Sequence, residues 1–319
     1  MRNLLVLLTY VSLAAAQSKI LLRENWAIQS SVEVREDGAA LSTPGFAPRG
    51  WHAATVPTTV FSALVKAGVY PDPYFGTNLR SAPGTSYPVG VNFSNLPMPS
   101  DSPFNKPWWF RTTFRLPAEY RGKTLWLNLD GVNFRANVWL NGKKVASSDK
   151  LAGAWRLFQL DVTSAARPAA ANALAIEIFP PEPGDLAVTF VDWNPMPPDK
   201  GMGLWRGVSI NATGPVAIRY PFVTTHLQEG AQLSVRAELT NAGAVKLEGV
   251  LKGRIEGLEF SQPETVAAHE TKIVYLTPPK ISSPRVWWPA QTGPQNLYPL
   301  DLSFEVGGKL SDASHTEFG

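Results

Sequence analysis

The sequence predicts an all-β chain built from two tandem β-sandwiches, and three observations carry that prediction. Apolar residues recur with period two over many short segments at regular spacing, the signature of half-buried antiparallel strands. The 28 Pro and 25 Gly among 319 residues cluster between those segments and punctuate them as turns. A hydrophobic share of 44% against 17% charged residues supplies apolar surface for a substantial core. The length suits about two domains of roughly 150 residues each.

The chain opens on an address. Arg2 precedes the apolar run Leu4 to Ala16, and Ala14-Ala15-Ala16 meets the small-residue cleavage rule. Residues 1–16 are therefore expected to be a signal peptide, with a secreted, extracellular chain starting near Gln17. The 13 residues of that run reach only about 20 Å as a helix, short of a bilayer core, so no membrane anchor is expected from them. Secretion makes two sequons, Asn92-Phe93-Ser94 and Asn211-Ala212-Thr213, candidates for N-glycosylation.

One helix stands out: Val60, Phe61, Leu64 and Val65 recur at helical spacing after Pro57, and Gly68 sits where a C-terminal cap belongs. Tyr70 to Lys106, with its Pro, Gly and Ser, reads as a long irregular loop, of a length that tends to be functional. In Trp108 to Arg115, Trp108, Phe110, Thr112 and Phe114 share one face, and Trp109, Arg111, Thr113 and Arg115 the other. Leu125, Leu127 and Leu129 alternate with Trp126 and Asn128, then Phe134, Ala136, Val138 and Leu140 with Arg135, Asn137 and Trp139. Asn141-Gly142 follows at once and predicts a two-residue hairpin. Phe158, Leu160 and Val162, then Leu174, Ile176 and Ile178, continue the pattern. A boundary near Gly214-Pro215 closes a first domain, 17–214. In the second, 215–319, Leu233, Val235, Ala237 and Leu239 lead to a turn at Asn241 to Gly243. Val245–Ile255, Lys272–Leu276 and Leu300–Val306 then complete a module of immunoglobulin-like size.

Several function classes fall away. A net charge of +3 with interspersed signs does not suit a nucleic-acid surface. With no Cys, disulfides, thiolate metal sites and thiol nucleophiles are excluded together. Gly122-Lys123-Thr124 resembles the end of a phosphate loop, but Pro117 stands where its first glycine belongs. Gly201, Gly203 and Gly207 lack dinucleotide-fingerprint spacing. His52, His226, His269 and His315 are scattered, so neither a metal nor an organic cofactor is expected.

Tryptophan says more. Eleven Trp is a high count, and many stand beside polar residues in expected loops. A flat indole either fills a sandwich core or stacks on the apolar C–H face of a sugar ring while neighbouring polar groups bond the hydroxyls. Asp192-Trp193-Asn194-Pro195 favours the second use, with a Trp between two hydroxyl-binding side chains in a loop stiffened by Pro195, Pro197 and Pro198. A rigid turn between strands is the alternative at the same residues.

The segment Asp192 to Val208, DWNPMPPDKGMGLWRGV, resembles the signature of the sugar-binding domain of glycoside hydrolase family 2, in its exo-β-D-glucosaminidase branch. Related β-mannosidases carry a similar Asp-Trp-Gly-Pro segment. Pro73-Tyr74-Phe75-Gly76-Thr77-Asn78, Pro107-Trp108-Trp109-Phe110-Arg111 and Leu129-Asp130-Gly131-Val132 agree with the family in order and spacing. So do Val138-Trp139-Leu140-Asn141-Gly142 and Val286-Trp287-Trp288-Pro289. The resemblance implies a jelly-roll domain, an immunoglobulin-like domain and then a catalytic (β/α)8 barrel working by a retaining mechanism with two glutamates. It implies that Asp192, Trp193 and Asn194 bind the terminal sugar, a β-linked hexose or hexosamine such as that of a chitosan oligosaccharide. The family's acid/base glutamate follows an asparagine, and no Asn-Glu pair occurs here. His315-Thr316-Glu317-Phe318-Gly319 resembles the connector into the barrel, so the catalytic glutamates are expected to be missing from this chain. Glu119, Glu177, Glu182 and Glu317 are expected to be surface or structural, and the chain to be inactive alone. A stand-alone carbohydrate-binding module and the same fragment of a β-mannosidase stay open as alternatives.

Overall fold

The computed structural model describes residues 19–85, 97–187 and 196–319. The chain forms two compact units, one of Ile20–Asn211 and one containing Ala212–Gly319. No helix among the described residues is long and apolar enough to cross a membrane.

The strands of the first region are β1 (Ile20–Leu21), β2 (Trp26–Ser30), β3 (His52–Ala54), β4 (Thr58–Thr59), β5 (Trp108–Arg115) and β6 (Thr124–Leu129). They continue with β7 (Arg135–Leu140), β8 (Lys143–Ala146), β9 (Phe158–Asp161), β10 (Ala171–Phe179), β11 (Gly203–Leu204) and β12 (Val208–Thr213). Short helices α1 (Gly38–Leu41), α2 (Val60–Lys66) and α3 (Asn78–Ser81) lie between them. One sheet has the order β1-β12-β6-β9, a second β3-β2-β5-β10-β7-β8, and β11 pairs with β4. Period-two alternation sends Leu125, Leu127 and Leu129 of β6 and Val208 and Ile210 of β12 fully inward. Ile28, Phe110, Val138, Leu140, Leu174 and Ile176 supply the buried rows of the larger sheet, and two such apolar faces close on each other as a sandwich.

Local choices follow from the residues. Asn141 and Gly142 take φ of 51° and 86°, the positive pair a two-residue hairpin needs, and Leu140 faces Lys143 across it. Helix α2 starts on Thr59, whose hydroxyl accepts the Ser62 N–H, and Gly68 follows it at φ 77°. In β5 the first five residues are buried on both faces rather than one, because α1 covers the second face. Arg111 is buried there, its Nε donating to Leu41 O at 2.9 Å and its Nη2 to Thr43 O at 3.0 Å. Burial lowers its pKa, yet the two carbonyls at the end of α1 give the guanidinium direct partners. The stretch expected to be one long loop holds α3, and it seats the fully buried Phe104 against Phe61, Tyr70 and Trp108.

The second unit contains β13 (Val216–Leu227), β14 (Ala231–Asn241), β15 (Leu247–Ile255), β16 (Leu258–Val266), β17 (Thr271–Leu276), β18 (Tyr298–Val306) and β19 (Lys309–Phe318). Sheets of order β13-β14-β17 and β16-β15-β18-β19 enclose one core of Val235, Leu239, Leu251, Leu300, Leu302 and Phe304, an immunoglobulin-like sandwich. Asn241 is fully buried at the corner after β14, its Nδ2 donating to Val245, Val266 and Ala267 carbonyls. His315–Phe318 form the end of β19, with Thr316 opposite Leu300 and Phe318 opposite Tyr298. The Phe318 ring stacks on Tyr298 at 5.7 Å, which ties the segment into the sandwich.

Candidate functional site

Asp192, Trp193, Asn194 and the sequon Asn92 lie outside the described residues, as does the expected signal peptide 1–16. The described part of the signature, Met196 to Val208, is built into the first sandwich from both sides. Asp199 is fully buried, its Oδ2 accepting the Phe61 N–H at 2.7 Å and its Oδ1 the Gly201 N–H at 2.9 Å. Burial pushes its carboxyl above the ordinary range, while those N–H bonds and the Thr59 side chain pull the other way. One carboxylate thus ties the Pro197–Met202 turn to the first turn of α2, across 138 residues of sequence. The Val60 N–H donates to Met202 O at 2.8 Å and doubles the link.

Asn133 clamps the same turn from the opposite side. It is fully buried, and its Nδ2 donates to Lys200 O at 3.0 Å and Gly201 O at 2.8 Å. Its backbone exchanges both bonds with Gly203, at 2.9 and 3.0 Å. Gly203 must be glycine, since its φ is 152° and a Cβ would stand 2.6 Å from Thr58 O. Lys200 is only 2% exposed, and burial lowers its ammonium pKa. Two motifs distant in sequence also meet here, because Asp130 N–H donates to Gly207 O at 3.0 Å.

Trp205 completes the packing. Its Nε1 donates to Ala154 O at 2.9 Å, and a Cβ on Gly131 would lie 2.7 Å from that nitrogen, so the indole needs glycine beneath it. Trp155 meets Trp205 edge-on at 4.7 Å and is 60% exposed. The stem before residue 188 is also anchored. Ala187 packs with Phe134 and Ala154, and Arg135 Nη2 pairs with Asp185 Oδ1 at 2.7 Å. Arg135 also reaches Glu182 Oε1 at 3.6 Å and lies over the Phe134 ring. Both flanks of residues 188–195 are therefore held by buried apolar contacts and paired polar groups.

The remaining predicted residues scatter. Glu177 accepts from Asn137 Nδ2 at 2.9 Å, Glu182 sits on Arg135, and Glu119 and Glu317 are exposed. Asn211 is half-buried on β12, its Oδ1 accepting from Asn128 at 2.8 Å, and Asn128 in turn accepts from Gln159 at 2.9 Å. Trp26, Trp108, Trp109 and Trp126 are buried core residues, whereas Trp155, Trp287 and Trp288 are exposed. Tyr74 and Phe75 are 96% and 75% exposed on a turn closed by the Asp72 carboxylate. Among the described residues no group of three His, Cys, Asp or Glu is placed to hold a metal ion. Nothing in the sequence pattern singles out Asp199 and Asn133, although Asp199 falls inside the quoted signature.

The chain is similar to known proteins. Residues 100–189 match the family model of the glycosyl hydrolase 2 galactose-binding domain-like region, and residues 216–319 that of glycosyl hydrolases family 2. The exo-β-D-glucosaminidase of Streptomyces avermitilis is 37% identical over 304 residues, covering 92% of this chain and 31% of that protein. The crystal structure of the exo-chitosanase CsxA of Amycolatopsis orientalis superposes with a TM-score of 0.83 at 33% identity, covering 95% of this chain and 33% of that one. The mannosylglycoprotein endo-β-mannosidase of Lilium longiflorum is 27% identical over 340 residues, covering 94% of this chain and 34% of that protein. The chain spans about a third of the length of the curated relatives it matches.

Proposed function

The chain belongs to glycoside hydrolase family 2, and from that premise we propose that it forms the two non-catalytic sandwiches at the front of a secreted exo-β-D-glucosaminidase acting on chitosan oligosaccharides. The observation that carries this reading is the 37% identity to an exo-β-D-glucosaminidase, sustained over 92% of the chain. The match to an endo-β-mannosidase is weaker, at 27%, which favours glucosamine over mannose.

In this reading Asp192 accepts a hydrogen bond from an amino or hydroxyl group of the terminal sugar. Trp193 walls the pocket, and Asn194 adds a bond or braces the loop. The cationic amine of glucosamine calls for a carboxylate near it, and Asp192 is of that type. Asp199, Asn133 and the Arg135–Asp185 pair support the reading by fixing the flanks of that segment on a rigid scaffold. Retention of configuration requires two carboxyl groups about 5–5.5 Å apart, one attacking the anomeric carbon and one protonating the leaving oxygen. Those two glutamates are assigned to a (β/α)8 barrel beyond these residues in the same polypeptide, and Glu119, Glu177, Glu182 and Glu317 are given no catalytic part. Residues 1–16 direct secretion, and the N-terminal sequence of the exported protein should begin at Gln17.

The test is a paired assay on the purified chain. Titration with chitosan oligosaccharides should give binding that Asp192→Ala weakens, and p-nitrophenyl β-D-glucosaminide should not be turned over. Repeated turnover by the chain alone would overthrow the non-catalytic assignment. Binding indifferent to Asp192→Ala would remove that residue from the site.

A further inference from the structure

Among the described indoles of the first sandwich, Trp155 stands apart. It is 60% exposed, yet the backbone on either side of it is hydrogen-bonded. Gly153 N–H donates to Phe134 O at 3.0 Å and Ala136 N–H to Leu151 O at 3.0 Å. The next residue back, Ala154, is fully buried against Phe134 and Ala187. Its carbonyl takes the Trp205 Nε1–H at 2.9 Å, and the Trp205 ring braces Trp155 edge-on, with the planes 72° apart. A large flat apolar face is thus presented to solvent at a fixed angle with little freedom left to lose on binding.

Its surroundings define what it could take. Arg206 is exposed, with its guanidinium 5.6 Å from the Trp205 ring centroid, and Arg156 is exposed over Phe158 at 4.9 Å. Arg156 Nη1 donates to Ala152 O at 3.1 Å, and a stacked guanidinium has further in-plane N–H groups that can donate to hydroxyl or carbonyl oxygens. Both side chains are cationic, and like charge disfavours a further cation close to either of them. Ala187, which packs on Ala154, is the last described residue before the Asp192 segment.

We propose that Trp155, braced by Trp205, is a stacking platform for an uncharged pyranose ring of the bound glycan, with Arg156 and Arg206 donating to its oxygens. The ring is an N-acetylated or unsubstituted hexopyranose rather than a protonated glucosamine. This inference rests on the carbohydrate-binding reading above and adds a second contact to it, selective for partly acetylated chains. The closing experiment titrates the full chain with N-acetylglucosamine trimer and with glucosamine trimer, by calorimetry and by indole fluorescence. Trp155→Ala should weaken the acetylated trimer about tenfold, the loss of one aromatic contact, while the protein stays folded and melts only a few degrees lower, as loss of the Trp205 contact requires. Trp155→Phe should retain most of the binding. Sugar binding that is equal in wild type and Trp155→Ala would overturn the platform while leaving the carbohydrate reading intact. A wild-type chain that binds neither trimer would overturn both.

Discussion

Replacing Asp199 by alanine isolates the clamp on the signature turn. The carboxylate is fully buried and accepts two backbone N–H groups, from Phe61 at 2.7 Å and Gly201 at 2.9 Å. Alanine leaves both donors without a partner in a space closed to water, at about 1–3 kcal/mol each. Part of that cost is offset, because the buried carboxylate is itself disfavoured by desolvation, as its raised pKa records. The net loss should be about 3 kcal/mol. In a unit of this size each kcal/mol moves the melting temperature by about 2–4 °C, so the first sandwich should melt about 6–12 °C lower. Asp199→Asn keeps one acceptor and should fall between the two. Melting of the full chain, followed by tryptophan fluorescence, reads the effect. An Asp199→Ala protein that melts within about 1 °C of wild type would refute the clamp.

Three further outcomes are expected. Asp312 in the second sandwich accepts the Ile218 and Ala313 N–H groups, and burial raises its pKa from 3.8 to about 7. The folded state then holds a proton that the unfolded state releases, so this group's stabilisation is full below pH 3.8 and lost as pH rises through about 7. Urea titrations should show that unit losing about 4 kcal/mol across this window, and Asp312→Asn should flatten the slope. Gly131→Ala should destabilise by about 1–3 kcal/mol, since the new methyl must displace the Trp205 indole, and near-ultraviolet circular dichroism should change with it. Arg111→Met should cost about 2–4 kcal/mol in thermal unfolding by leaving the Leu41 and Thr43 carbonyls buried without a donor.

Much of the scaffold was legible because alternation is a local signal. The strands around Trp108, Leu127, Val138 and Ile176, the helix at Val60 and the Asn141-Gly142 hairpin all lie where the pattern places them. Strands whose pattern is broken went unread. In β13 the alternation is interrupted at Arg219-Tyr220-Pro221, where the pairing with β14 shifts register. β16 carries Pro263, tolerated because that strand lies at the edge of its sheet. β19 turns Ser311 and Asp312 inward rather than apolar residues, and they are satisfied by backbone bonds to Val216 and Ile218. The surroundings of the signature were illegible for a different reason. Asp199 with Phe61, Asn133 with Gly201, and Trp205 with Ala154 are tertiary partners, and no periodicity encodes such pairings.

The reading frame of the native transcript beyond the Gly319 codon decides whether these sandwiches front a glycosidase. A frame that runs on through a barrel of about 250 residues, with one glutamate after an asparagine and a second on another strand, is the result expected. A stop codon directly after Gly319 would contradict it.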